Sequence, residues 1–539
     1  MAARAPASPG SQVHAAGDDP ARDREPDRRE AVRALPSREA RASGRLTVTT
    51  ESPRLQRLKA ALAEIADISH AQQVLEWDAR VSMPRAGAKA RADIASTVTR
   101  LAHRRFVSDE VGELLAELDG EGHDPESLEG ALIRITKREW TRASQIPSEL
   151  AGELVQAGGI GVAAWDEAKA ASDFESFKPH LERQLELRRR YIACFPKTDD
   201  PYDVLLDEYE EGLTTAQVEE IFARLKGELL QLVDRHREDP IEDVPGPFPV
   251  ERQRAAGELV LEAFGYDPDS WRLDETPHPF AAKPGFGDIR LTTHTDESDL
   301  TSLFSTMHEF GHGVYEFDID PSFARTPLAR GTSSTIHESQ SRTWENLVGR
   351  SRGFWTWFYP QLQALFPDAL GGVDDVSFVR SVSAVRPGPI RGDADEVTYG
   401  LHIIMRFELE RELLAGTIAV SDLPEVWNAR MKESLGVDVP DDAHGVLQDM
   451  HWSTGLFGYF PTYQLGNVVS VQIWDRACAE LGELEEQFAR GEFAPLREWL
   501  SEQIYRHGGR YAPSDLLRRV TGSGIDPEPY LKYLHTKFA

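Results

Sequence analysis

From Ser52 onward the apolar positions fall into a helical rhythm. Leu55, Leu58, Leu62, Ile65, Ile68 and Leu75 recur at intervals of three and four, which gathers side chains on one face of an α-helix, and Met83-Pro84 marks its end. The same period predicts helices at about 92–117, 127–141, 147–157 and 161–195, where Phe177, Leu181 and Leu185 make a stripe best read as plain core. Pro240 to Pro249, with Gly246 between, is a turn-rich break, and a helix resumes at 250–265. Alternation with a period of two is convincing only in Asp288-Ile289-Arg290-Leu291-Thr292-Thr293, a predicted strand after the loop from His278-Pro279-Phe280 to Gly287. Further helices are expected at 299–316, 336–350, 352–364, 375–384, 394–414, 421–436, 443–451 and 467–489. The balance is overwhelmingly α, with no internal repeat and no long linker.

Residues 1–50 break this pattern. They are rich in Ala, Arg, Pro, Ser and Asp and almost lack large apolar side chains, so they cannot offset their ordering entropy and read as a disordered tail. Asp18, Asp19, Asp23, Glu25, Asp27 and Glu30 speak against a transit peptide. Residues 51–539 read as one domain with an N-terminal helical lobe over about 51–200. With 539 residues, 40% of them hydrophobic, the chain can bury a large core. The two cysteines, Cys194 and Cys478, offer neither a disulfide framework nor a thiolate metal site. A formal charge of −30 opposes binding to polyanions, which excludes a nucleic-acid role. No apolar run approaches the roughly 20 residues of a membrane span. The expectation is a soluble, cytoplasmic protein.

Candidate chemistry centres on His308-Glu309-Phe310-Gly311-His312. Two histidines four apart on a helix share one face about a turn apart, as two ligands of one metal ion must. Glu309 is rotated about 100° from His308, beside such an ion and within reach of an attacking water. Leu300, Leu303, Phe304, Met307, Gly311 and Val314 follow helical spacing, and Thr293 to Ser298 supply polar capping residues in front. The competing reading is two partly buried histidines on an amphipathic helix, and a third ligand would decide between them. Phe317 to Phe323 holds no histidine, so that ligand must come from a later element. Glu338 stands thirty residues beyond His308, with His337 or Ser341 able to orient it. It can equally cap its own helix in a Thr335-x-x-Glu338 box. On the residues alone both readings stay open.

The combination of these segments with His337-Glu338-Ser339-Gln340-Ser341, the 288–293 strand, Ile390-Arg391 to Ala394-Asp395-Glu396, and His451-Trp452 to Gly458-Tyr459-Phe460-Pro461-Thr462-Tyr463 resembles the carboxypeptidase Taq family of metallocarboxypeptidases. The likeness extends to His278-Pro279-Phe280, to Trp77-Asp78 and Met83-Pro84, and to Asp200-Pro201-Tyr202, where the family more often shows Phe at the third position. It covers roughly residues 52–539. What the resemblance implies is a mostly α, two-lobed helical zincin, neurolysin-like, with a deep central groove and a small β-sheet near the metal helix. It further implies a homodimer that removes single residues from peptide C-termini with broad preference, using zinc, with cobalt as the alternative. It makes Glu338 the third ligand beside His308 and His312.

In that frame Glu309 is the general base, and His451 with Tyr463, or Tyr459 instead, donates to the tetrahedral oxyanion. Arg391, in a loop after Pro387-Gly388-Pro389 and close in sequence to the acids Asp395 and Glu396, is the candidate for gripping the substrate's terminal carboxylate. The 288–293 strand can pair with substrate backbone, with Arg290 as a contact or as a structural residue. His278 and Phe280 either line the groove or buttress it, and His402 is read as core. An aminopeptidase would instead show a Gly-x-Met-Glu-Asn segment, and none is present. Two alternatives remain: a related helical zinc oligopeptidase or dipeptidyl carboxypeptidase, and an inactive metal-binding scaffold, which would have no use for Glu309.

Overall fold

A computed structural model describes residues 52–539 apart from 241–243 and 245. The predicted tail at 1–50 lies outside the described residues. Ser52–Ala539 forms one compact unit.

The first helix, Pro53–Val81, begins where Ser52 accepts from the Leu55 N–H at 3.3 Å and proline occupies the first turn. Its early leucines are fully buried, whereas Ile65, Ser69, Gln73 and Trp77 of its later turns line the main cavity. Two predicted boundaries move. The stretch 92–117 is two helices, Ala88–Phe106 and Asp109–Asp119, parted at Val107-Ser108. Conversely, the break expected near 158–160 is absent, and one helix runs Ser148–Ala171 through Gly158 and Gly159. Glycine serves close approach on this helix: a Cβ on Gly158 would lie 3.3 Å from the Thr454 carbonyl oxygen and one on Gly161 2.2 Å from that of Ser453. The chain breaks later, at Ser172 with φ 52°, before Asp173 caps the helix Phe174–Ile192. The pattern also left unassigned the helix Thr215–His236, which opens with a capping box between Thr214 and Gln217.

The predicted strand is the centre of a three-stranded sheet. Trp271–Glu275 (β1) pairs parallel with Asp288–Thr293 (β3), and Ala281–Gly285 (β2) pairs antiparallel with β3 on its other side. Only β3 shows clear alternation, because β1 and β2 are edges. Pro284 in β2 lacks an N–H, and the register slips between Ala282 and Gly285.

The motif lies in the helix Thr301–Phe317, here the motif helix. Leu303, Phe304, Met307, Phe310 and Val314 are buried among Trp271, Phe264 and Trp344. Its start differs from expectation: no side chain of the 293–298 segment caps it, and Asp299 accepts from the Thr301 N–H at 2.8 Å. The sheet supports its other side, where a Cβ on Gly313 would come within 2.8 Å of Leu291 and Trp271.

Later in the chain, 336–350 begins as the helix Ser334–Arg342 and passes into a π-helical segment, Thr343–Val348. The expected helix at 443–451 is a series of turns, followed by one helical turn at His451–Thr454. There the Gln448 amide donates to the carbonyls of Pro389, His444 and Gly445 and accepts from the Arg391 N–H, and this tertiary bonding outweighs local propensity. Phe460–Leu481 follows, ending at Gly482 with φ 78°.

Candidate active site

Three helices carry the centre. Ser334–Arg342 is held between the motif helix and Phe460–Leu481 at backbone contact, which only glycine permits. A Cβ on Gly311 would lie 2.5 Å from the Gln340 carbonyl oxygen, and one on Gly466 would lie 2.6 Å from Cγ of Glu338. Ser333 caps this helix by accepting from the Ile336 N–H, so the Glu338 side chain is not its cap.

The Glu338 carboxylate instead faces the motif histidines. Its Oε2 lies 3.7 Å from Nε2 of His308 and 3.5 Å from Nε2 of His312. One ligand atom from each of the three can be chosen so that all lie within 4.8 Å of one another. These contacts are too long for hydrogen bonds but suit three donors around one ion. The outer ring nitrogens are tied down. Nδ1 of His308 meets Glu345 Oε2 at 2.8 Å, and Nδ1 of His312 meets Nδ1 of His337 at 2.7 Å, whose Nε2 meets Glu316 at 3.0 Å. Arg342 donates to Glu338 at 2.8 Å and to Glu345 at 3.0 Å. Each imidazole thus keeps Nε2 for the centre, the orientation that metal-bound histidines adopt.

The electrostatics agree. Burial would push Glu338 up, but the charges of His308 and Arg342 and the nearby His312 hold it well below the usual carboxylate range. Burial pushes His312 down to about 4, leaving it neutral and able to ligate. Burial pushes Glu309 up to about 7, and its Oε2 is buried without a partner. That orphaned oxygen, beside two histidine nitrogens and a carboxylate oxygen, fits a divalent ion with an attacking water next to it.

These groups line a cavity of about 1770 Å³. His278, Arg391, His451, Tyr459 and Tyr463 line it too, so nearly all the residues singled out from the sequence come together. His451 Nε2 meets the Tyr463 hydroxyl at 3.0 Å, while its Nδ1 has no hydrogen-bond partner and lies 3.9 Å from Asp449. Burial pushes His451 down to about 3 against the pull of Asp449, so the ring is neutral at pH 7. Arg391 is held by Asp449, to which its Nε donates at 2.9 Å, and not by Asp395 or Glu396 as its place in the sequence suggested. Asp395 accepts from the N–H groups of Arg386, Val397 and Thr398, and Glu396 binds Tyr533 and Lys537. Arg391 also donates to the Tyr399 hydroxyl at 3.1 Å, and Arg342 sits 4.2 Å over the same ring.

Arg290 is the exception. It forms two 2.9 Å bonds to Asp288, lies over the Trp77 ring and does not line the cavity. Successive side chains on β3 point to opposite faces, and its neighbour Ile289 takes the cavity side. His402 is fully buried, as expected of core. Sequence reasoning missed Arg342, Glu345, Glu316 and Asp449. A signal existed for two of them: Glu338, Arg342 and Glu345 are spaced by four and three, one charged stripe on a buried helix.

A helical chain with a His-Glu-x-x-His segment, a facing glutamate and an arginine-bearing cavity defines a metallopeptidase-like site. The sequence matches the family described as carboxypeptidase Taq (M32) metallopeptidase over residues 57–538. It is 41% identical over 492 residues to thermostable carboxypeptidase 1 of Thermus thermophilus, covering 88% of this chain and 96% of that protein. Carboxypeptidase 1 of Bacillus subtilis is 36% identical, covering 89% and 96%. The crystal structure of an M32 carboxypeptidase from Deinococcus radiodurans superposes with a TM-score of 0.86 at 40% identity, covering 90% of this chain and 99% of that one. The protein belongs to the M32 carboxypeptidase Taq family and is a metallocarboxypeptidase.

Proposed function

We propose that the protein removes single residues from peptide C-termini with broad preference, using one divalent ion, zinc or alternatively cobalt, held by His308, His312 and Glu338. The observation that carries this is the convergence of three ligand atoms beside a buried, unpartnered Glu309 oxygen. An ion bound there supplies Lewis-acid polarisation of the scissile carbonyl and the attacking water. Glu309 takes the proton of that water and returns it to the leaving nitrogen, and an acid with a pKa near 7 can do both. Tyr463, paired with neutral His451, donates to the tetrahedral oxyanion, and Tyr459 packs edge-on against Tyr463. Arg391 binds the terminal carboxylate through N–H groups that Asp449 and Tyr399 leave free, and His278 lines the same cavity. Peptides reach this cavity along a groove between two helical lobes, the N-terminal one spanning about 51–200. The working unit is a cytoplasmic homodimer, testable by light scattering on the purified chain. No helix among the described residues is long and apolar enough to cross a membrane.

The deciding experiment follows amino acids released over time from an N-blocked peptide by wild type and Glu309→Gln. Single residues in C-terminal order are expected, with the variant about 10²- to 10⁴-fold slower and its metal retained. Dipeptides released first would overturn the one-residue assignment, and an undiminished variant would overturn the role of Glu309.

A further inference from the structure

Glu410 is an ionisable side chain at the bottom of an apolar core. It projects from the helix Thr398–Ala415, is fully buried, and has Tyr202, Phe407, Trp427 and Trp452 in the surrounding cluster. A carboxylate in such a place is costly unless donors surround it. Here three do. Oε1 accepts from Trp452 Nε1 at 2.8 Å, and Oε2 accepts from the Gly458 N–H at 2.9 Å and the Tyr202 hydroxyl at 2.5 Å.

The first two donors have a particular address. Trp452 follows His451, and Gly458 precedes Tyr459 and the helix that carries Tyr463. Glu410 therefore bridges the two ends of the Ser453–Phe457 loop, with one oxygen for each end. Gly458 adopts φ 87°, and a Cβ there would lie 2.7 Å from Cβ of Leu205, so the chain is pressed against the segment that presents Tyr202. The Tyr202 ring packs edge-on against Phe407 with centroids 5.6 Å apart, which fixes where its hydroxyl points.

We propose that Glu410 is a positioning residue for the reaction, and that with Tyr202 it sets the separation of His451 from Tyr459 and Tyr463 across the loop. This rests on the catalytic reading of His451 and Tyr463. No ligand of the candidate metal centre lies on this loop, so the effect falls on transition-state stabilisation and not on metal binding.

The test uses the full chain loaded with zinc and an N-blocked dipeptide substrate. Glu410→Gln keeps the shape, and whichever way the amide turns its nitrogen confronts either the Gly458 N–H or the Trp452 Nε1–H with a second donor. With that buried bond broken, kcat is expected to fall about tenfold, with KM within about twofold and zinc content unchanged. Tyr202→Phe removes one donor and leaves the two loop contacts, with an expected loss of about threefold in kcat. Since Glu410 acts through the loop, adding Glu410→Gln to His451→Ala is expected to cost little more than His451→Ala alone. Wild-type kcat in both Glu410→Gln and Tyr202→Phe, or full additivity with His451→Ala, would overturn the inference. If His451→Ala itself keeps wild-type kcat, the catalytic reading of His451 has failed and the inference falls with it. If His451→Ala is slow while Glu410→Gln is not, the inference alone has failed.

Discussion

Gly466 meets Glu338 at a distance no other residue permits: a Cβ added to Gly466 would stand 2.6 Å from Cγ and 2.7 Å from Cβ of the glutamate. The helix Phe460–Leu481 thus forms the floor under the Glu338 carboxylate. In Gly466→Ala one of the two helices must shift, and Glu338 moves with it. We expect metal affinity to fall about tenfold or more, as when supports of a ligand are disturbed, with a lower Tm. Competition with a chromogenic chelator reads the affinity. An unchanged value would mean that the packing has slack to absorb a methyl group.

Glu345 supports the centre from the other side. Its Oε2 lies 2.8 Å from His308 Nδ1 and 3.0 Å from Arg342, and these groups, against burial, keep it charged down to about 2. Glu345→Gln retains the shape and removes the charge that orients and polarises the imidazole. Metal affinity is expected to drop about 10- to 100-fold, while turnover per bound ion changes far less. Equal losses in turnover and in affinity would instead give Glu345 a direct part in the reaction.

How far all this could be read from the chain depends on which force decides each feature. The motif helix was legible because one face is apolar at helical spacing and the other carries His308 and His312. The edge strands β1 and β2 were not, since alternation needs one face buried along its whole length, and only β3 in the middle has that. Gly158 and Gly159 looked like a break and are continuous helix, in which Gly158 and Gly161 lack a side chain where the helix meets Thr454 and Ser453. Glu338 illustrates the limit at the site. Its spacing from Thr335 suited a cap, and the carboxylate faces His308 and His312 only because of Gly311 and Gly466, which are distant in sequence. Asp449 likewise holds Arg391 across 58 positions, a pairing that no local pattern announces.

Arg391 supplies a sharp test of substrate recognition. Asp449 takes its Nε side and Tyr399 one further N–H, leaving the remaining fork for a planar anion. Arg391→Lys keeps the charge but loses that fork. With charge-assisted bonds worth about 1.5–3 kcal/mol, KM for an N-blocked dipeptide acid is expected to rise about 10- to 100-fold. The corresponding dipeptide amide, which lacks the carboxylate, should show little difference between the two proteins. Steady-state kinetics on the pair checks this, and a parallel loss on acid and amide would place carboxylate recognition elsewhere in the cavity.

A pH effect on stability is expected from Glu210, away from the proposed ligands. It is buried, its Oε2 has no hydrogen-bond partner, and burial pushes it up to about 7. A carboxyl raised in the folded state binds its proton more tightly there than in the unfolded chain. Its favourable contribution is therefore complete below about 4.5 and is lost as pH rises through about 7. Glu210→Gln is neutral at every pH and escapes that loss. The variant is thus expected to gain on wild type between pH 5 and pH 8, by about 2–4 °C in Tm, because the shift corresponds to roughly 3 kcal/mol in a chain of this size. Other groups pushed up in the same way, such as Glu410, titrate alike in both proteins and cancel in the difference. Differential scanning calorimetry of the pair across this range measures it, and a constant difference would show that Glu210 is already charged at pH 5.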